Sequence, residues 1–216
     1  MSTTPSRSYG GVPAAERTEL RRRRLLAAAL ARFGCNGYGA TGVKDVCGEA
    51  GLTHRYFYES FADKKALFLA VFDGVIEELF TLTAGAVAAS DGGAEDQLRR
   101  AILAFLTTMG DDPRKARIVF AEPPAVGPAA EQHMRTALRR FEALVEATAR
   151  LHLPVDLPDA TFALVAIAIV GTLERATIEW QEGVLALPVD RIAEECVNVF
   201  LAMLGGLAAG RGGPAD

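Results

Sequence analysis

Residues 43–61, VKDVCGEAGLTHRYFYESF, constrain the fold more than any other stretch of the chain. Apolar residues recur at helical spacing on both sides of Gly51, so the stretch predicts two short helices joined by a tight turn. Glycine at the joint permits the left-handed backbone of such a turn, while Thr41 and Thr53 are predicted to cap the two helices. The predicted core of this helix pair consists of Val43, Val46, Cys47, Ala50, Leu52, Phe57 and Phe61.

The second of these helices carries more aromatic rings and positive charge than the core can take up. His54, Arg55, Tyr56 and Tyr58 are predicted to face outward on its first turns. A major groove admits one α-helix, and a helix-turn-helix offers the first turns of its second helix to base edges. The pattern therefore predicts a DNA-binding helix-turn-helix.

Charge is distributed unevenly along the chain. Residues 1–65 hold eleven basic and six acidic residues, a net charge of +5, although the chain of 216 residues carries −4. The remaining residues therefore carry −9. A basic end joined to an acidic body indicates that only the first part meets a polyanion.

The rest of the chain shows helical periodicity and no alternating strand pattern, which predicts an all-α protein of about nine helices. A long apolar stripe from Lys64 predicts a helix that joins a three-helix DNA-binding domain rigidly to a larger ligand-binding and dimerisation domain. The predicted organisation is a disordered arm (1–15), a helix-turn-helix domain (16–62), an effector-binding and dimerisation domain (63–206) and a flexible tail (207–216).

The stretch from Leu25 to Leu67 resembles the N-terminal domain of the TetR family of bacterial transcriptional regulators. The resemblance rests on an apolar first helix that ends at Phe33, and then on several short motifs in a fixed order. These are Gly37-Tyr38, Ala40-Thr41, Val43-Lys44-Asp45-Val46, Ala50-Gly51-Leu52-Thr53, Phe57-Tyr58, Phe61 and Lys64 with Ala66-Leu67.

The resemblance implies a role for each matching residue of the predicted DNA-binding surface. Thr53, His54, Arg55 and Tyr56 are expected to meet bases or nearby backbone, and Thr41, Lys44, Tyr58 and Lys64 are expected to hold phosphates. Family members often have small residues where Arg55 and Tyr56 stand, so these bulky side chains leave the base assignments open. Glu59 would repel phosphate unless it is paired.

The acidic domain is predicted to hold a ligand pocket, because ligand sites between helices are mostly apolar with a few polar groups. A small apolar or amphipathic effector is what the family resemblance implies. For any single candidate, plain core is the favoured interpretation, since aromatic residues at helical spacing usually belong to the core. The candidate lining residues are Phe105, Met109, Phe120, Phe141, Thr172 and Trp180.

Two late helices are predicted to form a homodimer interface. Residues 162–173 are apolar nearly all round, but a membrane span needs about 20 apolar residues, so the stretch predicts a buried helix. Such a helix must be covered on both sides, which a two-fold four-helix bundle would achieve. The predicted interface residues are Phe162, Ala166, Ile169, Val197, Phe200, Leu201 and Leu204.

The sequence therefore favours a ligand-released repressor on a palindromic operator. The alternative is an architectural or cell-cycle DNA-binding protein without a small effector. An enzyme is not predicted, because there is no HExxH, GxGxxG or P-loop motif, and Glu174 with Arg175 is interpreted as a structural ion pair. No cofactor or metal is expected.

The cysteines favour the cytoplasm as the site of action. Cys35, Cys47 and Cys196 lack CxxC spacing, so they predict neither a disulfide framework nor a zinc site. They are interpreted as small apolar residues in a reducing compartment, with a thiol redox sensor as the alternative.

Overall fold

The computed structural model describes residues 14–152 and 157–209, and within these ranges every regular element is helical. The all-α prediction is confirmed. The helices are α1 (Ala14–Asn36), α2 (Val43–Ala50), α3 (His54–Ser60), α4 (Lys64–Ala88), α5 (Ala94–Asp111), α6 (Pro113–Ala116), α7 (Pro123–Val126), α8 (Pro128–His152), α9 (Asp159–Gln181) and α10 (Val189–Ala209).

The described ranges contain ten α-helices, where the sequence predicted about nine. The difference lies between α5 and α8. The predicted helix 114–121 is the short α6 followed by a π-helical segment, Arg117–Ala121. The predicted loop 122–128 contains α7, which begins with two prolines. Proline is common at the first position of a helix, because a backbone N–H at that position would have no acceptor within the helix.

The ends of the chain differ in part from the predicted arm and tail. Helix α1 already begins at Ala14, and α10 continues to Ala209. The rest of the predicted arm, residues 1–13, and of the predicted tail, residues 210–216, lies outside the described residues.

Helices α1 to α3 pack around a common apolar core, in which Leu25, Phe33, Val46 and Phe57 are fully buried. The turn between α2 and α3 depends on Gly51, whose φ of 61° and ψ of 39° are left-handed. The N–H of the next residue, Leu52, donates back to the Cys47 carbonyl at 2.9 Å. This closes the end of α2 as helix C-termini commonly do.

The predicted Thr41 cap is wrong, and the predicted Thr53 cap is correct in position only. The N-cap of α2 is Gly42, whose N–H donates to the Asp45 carboxylate at 2.8 Å. The Thr41 hydroxyl instead donates to the Gly37 carbonyl at 2.8 Å. Thr53 stands at the N-cap of α3, but its side chain makes no capping hydrogen bond.

Helix α4 belongs to both parts of the molecule. Its first turns bury Leu67 and Phe68 among α1 to α3, and its later turns bury Ile76 and Leu79 in the larger helical domain. Helix α5 packs between α4 and α10, while α8 packs on α9. One continuous apolar core results, and α4 runs through both parts of it.

Helix α9 is long and apolar enough to cross a membrane by length and composition alone. Core helices of soluble proteins pass the same test. Its inward face buries Phe162, Val165 and Ile169 against the rest of the chain, whereas Leu164 and Ile167 are more than half exposed. The described residues therefore cover one side of α9 and leave its other side exposed.

Two leucines on α5 provide a test of this packing. Leu106 is fully buried and Leu103 is 40% exposed. We expect Leu106→Ala to lower the free energy of unfolding by about 2–5 kcal/mol, because it leaves a cavity in the core. The matched Leu103→Ala should cost about 0.5–1 kcal/mol, and urea denaturation would measure both. Equal losses would show that the orientation of α5 is wrong.

Candidate nucleic-acid interface and ligand cavity

Helix α3 presents a mixed polar and aromatic surface on top of a buried face. Phe57 and Phe61 point into the core, while His54, Arg55 and Tyr58 are exposed, with 61% of Tyr58 accessible. The Tyr58 ring stands edge-on to Phe57, with 5.1 Å between the ring centroids. The structure thus brings the predicted outward residues together on one accessible surface.

Tyr56 is held more tightly than its neighbours on α3. It is half-buried, and the Arg21 guanidinium of α1 lies 4.4 Å from its ring centroid. Such a cation–π contact restricts the ring. Tyr56 therefore lies at the edge of the exposed surface of α3.

The negative charge of Glu59 on this surface is compensated. Its carboxylate accepts a hydrogen bond from Arg55 at 3.0 Å and lies 3.9 Å from Arg21. The Arg55 side chain remains 84% exposed, so the pair stays open to solvent and is weak. Arg55 can exchange this carboxylate for an anionic or base-edge partner at little cost.

Two more predicted DNA contacts lie beside α3. Lys44 is exposed on the first turn of α2, and Thr53 is exposed immediately before α3. Both side chains are free of hydrogen bonds to other described residues. They extend the accessible surface that α3 presents.

Thr41 and Lys64 do not join this surface. Thr41 is buried, so a phosphate contact through its side chain is contradicted. The Lys64 ammonium donates to the carbonyls of Tyr38 and Thr41, both at 2.9 Å, and lies 3.9 Å from the centroid of the Tyr38 ring. The structure therefore uses Lys64 to hold the turn between α1 and α2 rather than as a freely exposed phosphate ligand.

The other side of that turn is held by a buried carboxylate that the sequence analysis missed. Glu122, just before α7, is 7% exposed and accepts a hydrogen bond from the Tyr38 N–H at 2.7 Å. Arg117 donates to the same carboxylate at 2.8 Å and to the Cys35 carbonyl at 3.0 Å. We call Arg117, Glu122 and their contacts with residues 35–38 the interdomain clasp.

Gly37 makes the clasp possible. Its φ of 86° is left-handed, and a Cβ there would lie 2.9 Å from an Arg117 nitrogen and 3.1 Å from a Glu122 oxygen. Only glycine meets both requirements without strain. Asn36-Gly37 signalled a helix end in the sequence, but nothing nearby pointed to an acid 85 residues further along.

The larger domain encloses an apolar cavity of about 410 Å³ between α4, α5, α8, α9, α10 and the π-helical segment. Three of the six predicted lining residues face it: Phe105, Phe120 and Phe141. Met109 is instead fully buried in the core beside it, and Thr172 is exposed on the outer face of α9.

The sixth predicted lining residue, Trp180, lies away from the cavity. Its ring packs beside Gly110, where an added Cβ would lie 2.5 Å from a ring carbon. Its indole N–H donates to the Leu187 carbonyl at 3.1 Å. The six candidates were chosen from the sequence by residue type, but their positions around each packed helix determine which of them face the cavity.

A few polar groups line the cavity. Gln97 and His152 are joined by a 2.8 Å hydrogen bond. The Thr83 hydroxyl is buried and has no partner among the described residues. Glu174 also lines the cavity, and burial raises the pKa of its carboxyl group. The ion pair expected between Glu174 and Arg175 is wrong, because Arg175 pairs with Glu179 one turn along.

The predicted dimer residues are occupied within their own chain. Phe162, Ala166, Ile169, Val197 and Phe200 are each at most 4% exposed, while Leu201 and Leu204 line the cavity. An interface through these side chains is therefore contradicted. The exposed apolar positions of α9 and α10 lie on the opposite faces, and we call them the outer stripe: Leu164, Ile167, Gly171, Val199, Ala202 and Gly206.

The cysteines do not form a site in the described ranges. Cys35 is exposed, whereas Cys47 and Cys196 are buried, and burial raises the pKa of both buried thiols. A raised pKa disfavours the reactive thiolate. Residues 14–152 and 157–209 also contain no cluster of His, Cys, Asp and Glu suited to a metal ion.

The helix-turn-helix can now be compared with known proteins. Residues 25–71 match the family model of bacterial regulatory proteins, tetR family. The N-terminal domain belongs to the tetR family. The match covers the second half of α1, α2, α3 and the first part of α4, which is the region whose motifs carried the resemblance, and it confirms that resemblance.

One curated relative of the chain is the HTH-type transcriptional activator FasR of Mycolicibacterium smegmatis. It is 27% identical over 117 residues, which cover 54% of this chain and 53% of FasR. The alignment thus spans about half the length of that relative.

Solved structures show the same fold over most of the chain. A TetR-like transcriptional regulator from Rhodococcus sp. RHA1 has a TM-score of 0.72 at 21% identity, covering 91% of this chain and 100% of its own. FadR from Bacillus subtilis, in complex with stearoyl-CoA, has a TM-score of 0.74 at 14% identity, covering 83% of this chain and 97% of its own. At these identities, the similarity extends the fold assignment to the larger domain.

Removing the carboxylate of the clasp should destabilise the protein. Glu122→Ala leaves the partly buried Tyr38 N–H and the Arg117 guanidinium without their acceptor, and we expect a loss of about 2–3 kcal/mol in the free energy of unfolding. Glu95→Ala breaks an exposed pair with Arg99 on α5 and should cost less than about 1 kcal/mol. Equilibrium denaturation compares the two variants, and similar small losses would show that the clasp is not formed.

Proposed function

We propose that this tetR-family protein is a cytoplasmic, homodimeric transcriptional repressor that leaves a palindromic DNA operator when an apolar or amphipathic ligand enters its cavity. The observation that carries the proposal is the exposed surface of α3. There, His54, Arg55 and Tyr58 project from a buried Phe57–Phe61 base within a tetR-family domain. Side chains held outward on a rigid helix are suited to reading a major groove.

The DNA contacts that we propose fall into two classes. Thr53, His54, Arg55 and Tyr56 approach base edges, with Arg55 suited to the bidentate pairing that arginine makes with guanine. Lys44 and Tyr58 meet phosphates, which position a protein on the duplex without reading sequence. Lys64 and Thr41 support this surface from below by holding the α1–α2 turn.

The ligand cavity and the DNA-binding domain share a structural connection. Val119 and Phe120 line the cavity from the π-helical segment. Arg117 and Glu122, at and just beyond the two ends of that same segment, hold residues 35–38. A ligand that displaces the segment would therefore shift the clasp, and with it the position of α3.

The cavity is also what favours this proposal over an architectural DNA-binding protein. An architectural protein has no need of an apolar cavity of about 410 Å³, which falls within the usual size of ligand sites. The FadR structure with stearoyl-CoA supports the idea that a similar fold accommodates a long apolar chain.

Repression is the simpler direction of control for this fold, because blocking transcription requires only occupancy of the DNA. The relative FasR is named an activator, so the direction needs its own test. A reporter gene placed behind the selected operator should be silent with the protein and expressed on addition of the ligand. Higher expression with the protein than without it would instead identify an activator.

The homodimer that we propose uses the outer stripe of α9 and α10. A two-fold contact would cover these apolar side chains, which the chain itself leaves exposed. It would also place two copies of α3 roughly 34–36 Å apart, or a multiple of that distance, to match successive major grooves.

Substitutions on the proposed DNA-binding surface should distinguish residues that recognise bases from residues that contact phosphates. With an operator selected from random duplexes, Arg55→Ala should relax the preference at one base pair per half-site by about 1–3 kcal/mol. Lys44→Ala should weaken binding to all sequences alike and flatten the salt dependence by about one unit of slope per protomer. Arg139→Ala, at an exposed site on α8, is the control. An unchanged base preference in Arg55→Ala would exclude Arg55 as a reader.

A charge in the outer stripe should break the dimer. Leu164 is 65% exposed, so Leu164→Glu adds a carboxylate without disturbing the fold of the monomer. We expect monomers by sedimentation and operator affinity reduced about a hundredfold or more, since each half-site alone binds weakly. Leu82→Glu, at a 47% exposed position on α4, should remain dimeric. A dimeric Leu164→Glu variant would place the interface elsewhere.

A further inference from the structure

One acidic residue that lines the cavity has no partner within the described part of the chain. Glu174 faces the cavity from α9, and no described residue donates a hydrogen bond to it or pairs with it. The neighbouring Arg175 pairs with Glu179 instead. A partly buried carboxylate without a partner loses hydration that the protein does not replace. This loss of hydration disfavours the charged form and raises the pKa of the Glu174 carboxyl group.

The rest of the lining provides no positive charge to balance Glu174. None of the described residues that line the cavity is lysine or arginine, and the only other titratable one is His152, which is bonded to Gln97 at 2.8 Å. The chain beyond residue 65 carries a net charge of −9. Both the local lining and the surrounding field therefore favour a cation over an anion.

A second polar atom in the lining also lacks a partner. The Thr83 hydroxyl on α4 is buried, and none of the described atoms bonds to it. Native proteins satisfy most buried polar groups, so an unsatisfied hydroxyl inside a cavity points to a partner that enters from outside. A hydroxyl accepts a hydrogen bond as readily as it donates one.

We propose that the ligand of this cavity is a basic amphiphile, an apolar chain or ring system with a protonated amine whose N–H groups donate to Glu174. This inference rests on the proposed function and names the chemical class of its effector. The amine supplies the charge that the cavity lacks, and the apolar body fills the space between Phe105, Phe120 and Phe141.

The proposal also excludes a class of ligand. A fatty acid buried in this cavity would bring a second carboxylate near Glu174 and would find no lysine or arginine in the described lining. Like charges in a partly dehydrated site repel strongly. The similarity in fold to FadR with stearoyl-CoA therefore does not extend to the charge of the ligand's head group.

Three probes with the same ten-carbon chain test the proposal. Decylamine, decanol and decanoate are titrated into the full chain without DNA, below their micelle-forming concentrations, and heat is measured. We expect decylamine to bind about tenfold or more tighter than decanol, because a hydrogen bond to a charged group adds to the same apolar contact. Decanoate should bind more weakly than decanol.

The variant Glu174→Gln tests whether the Glu174 carboxylate causes the preference for decylamine over decanol. It should reduce decylamine affinity about tenfold or more, leave decanol unchanged and strengthen decanoate binding. Thermal unfolding without ligand should be unchanged or occur at a higher temperature, since an unpaired charge has been removed from a partly buried site. Glu182→Gln, at an exposed position just after α9, controls for the general attraction of a cation to the acidic domain.

Each other outcome overturns the inference in a recognisable way. If decanoate binds most tightly, or if Glu174→Gln leaves decylamine affinity unchanged, the ligand class is wrong while a ligand-binding cavity stands. If no probe binds, the inference fails together with the ligand-controlled part of the proposed function. Operator binding by the same preparations shows separately whether the DNA-binding part holds.

Discussion

The buried carboxylate of Glu122 determines how the two parts of this protein are joined. A carboxylate taken out of water needs donors, and here they come from Arg117 in the larger domain and from the Tyr38 N–H in the DNA-binding domain. Lys64 holds the same turn from the other side through the Tyr38 and Thr41 carbonyls. The turn between α1 and α2 is therefore fixed by both domains, and α2 and α3 follow its position.

The interdomain clasp lies directly against the cavity. The residues between Arg117 and Glu122 include Val119 and Phe120, which line the cavity. The backbone there is π-helical, a wider and less regular turn that is often found at functional sites. Helix α4 supplies a second connection, since its two halves belong to the cores of the two domains. Under the proposed function, a ligand that presses on either element would act on α3 without touching it.

Much of the fold could be predicted because it depends on local patterns. The helical spacing of apolar residues and the glycine turn at Gly51 predicted α1 to α4. The helix-turn-helix motifs indicated the family, and the match over residues 25–71 confirms that resemblance. Outward placement of His54, Arg55 and Tyr58 followed from the inward placement of Phe57 and Phe61. The predicted Thr41 cap is wrong because the N-cap of α2 lies one residue later, at Gly42, with the Asp45 carboxylate accepting from its N–H.

The sequence by itself determined where the helices lie, which face of α3 is apolar, and that the positive charge is concentrated in the first third of the chain. Tertiary structure alone decided which side of the nearly all-apolar α9 is covered and which aromatic residues face the cavity. It also decided that Lys64 and Glu122 find partners, whereas Glu174 finds none among the described residues. The physical reason is that periodicity and capping act over a few residues, whereas pairing and burial join residues such as Tyr38 and Glu122, 84 positions apart. The position of an apolar stripe or a charged side chain can be read from the local sequence, but the residues that it contacts are determined only when the helices pack together.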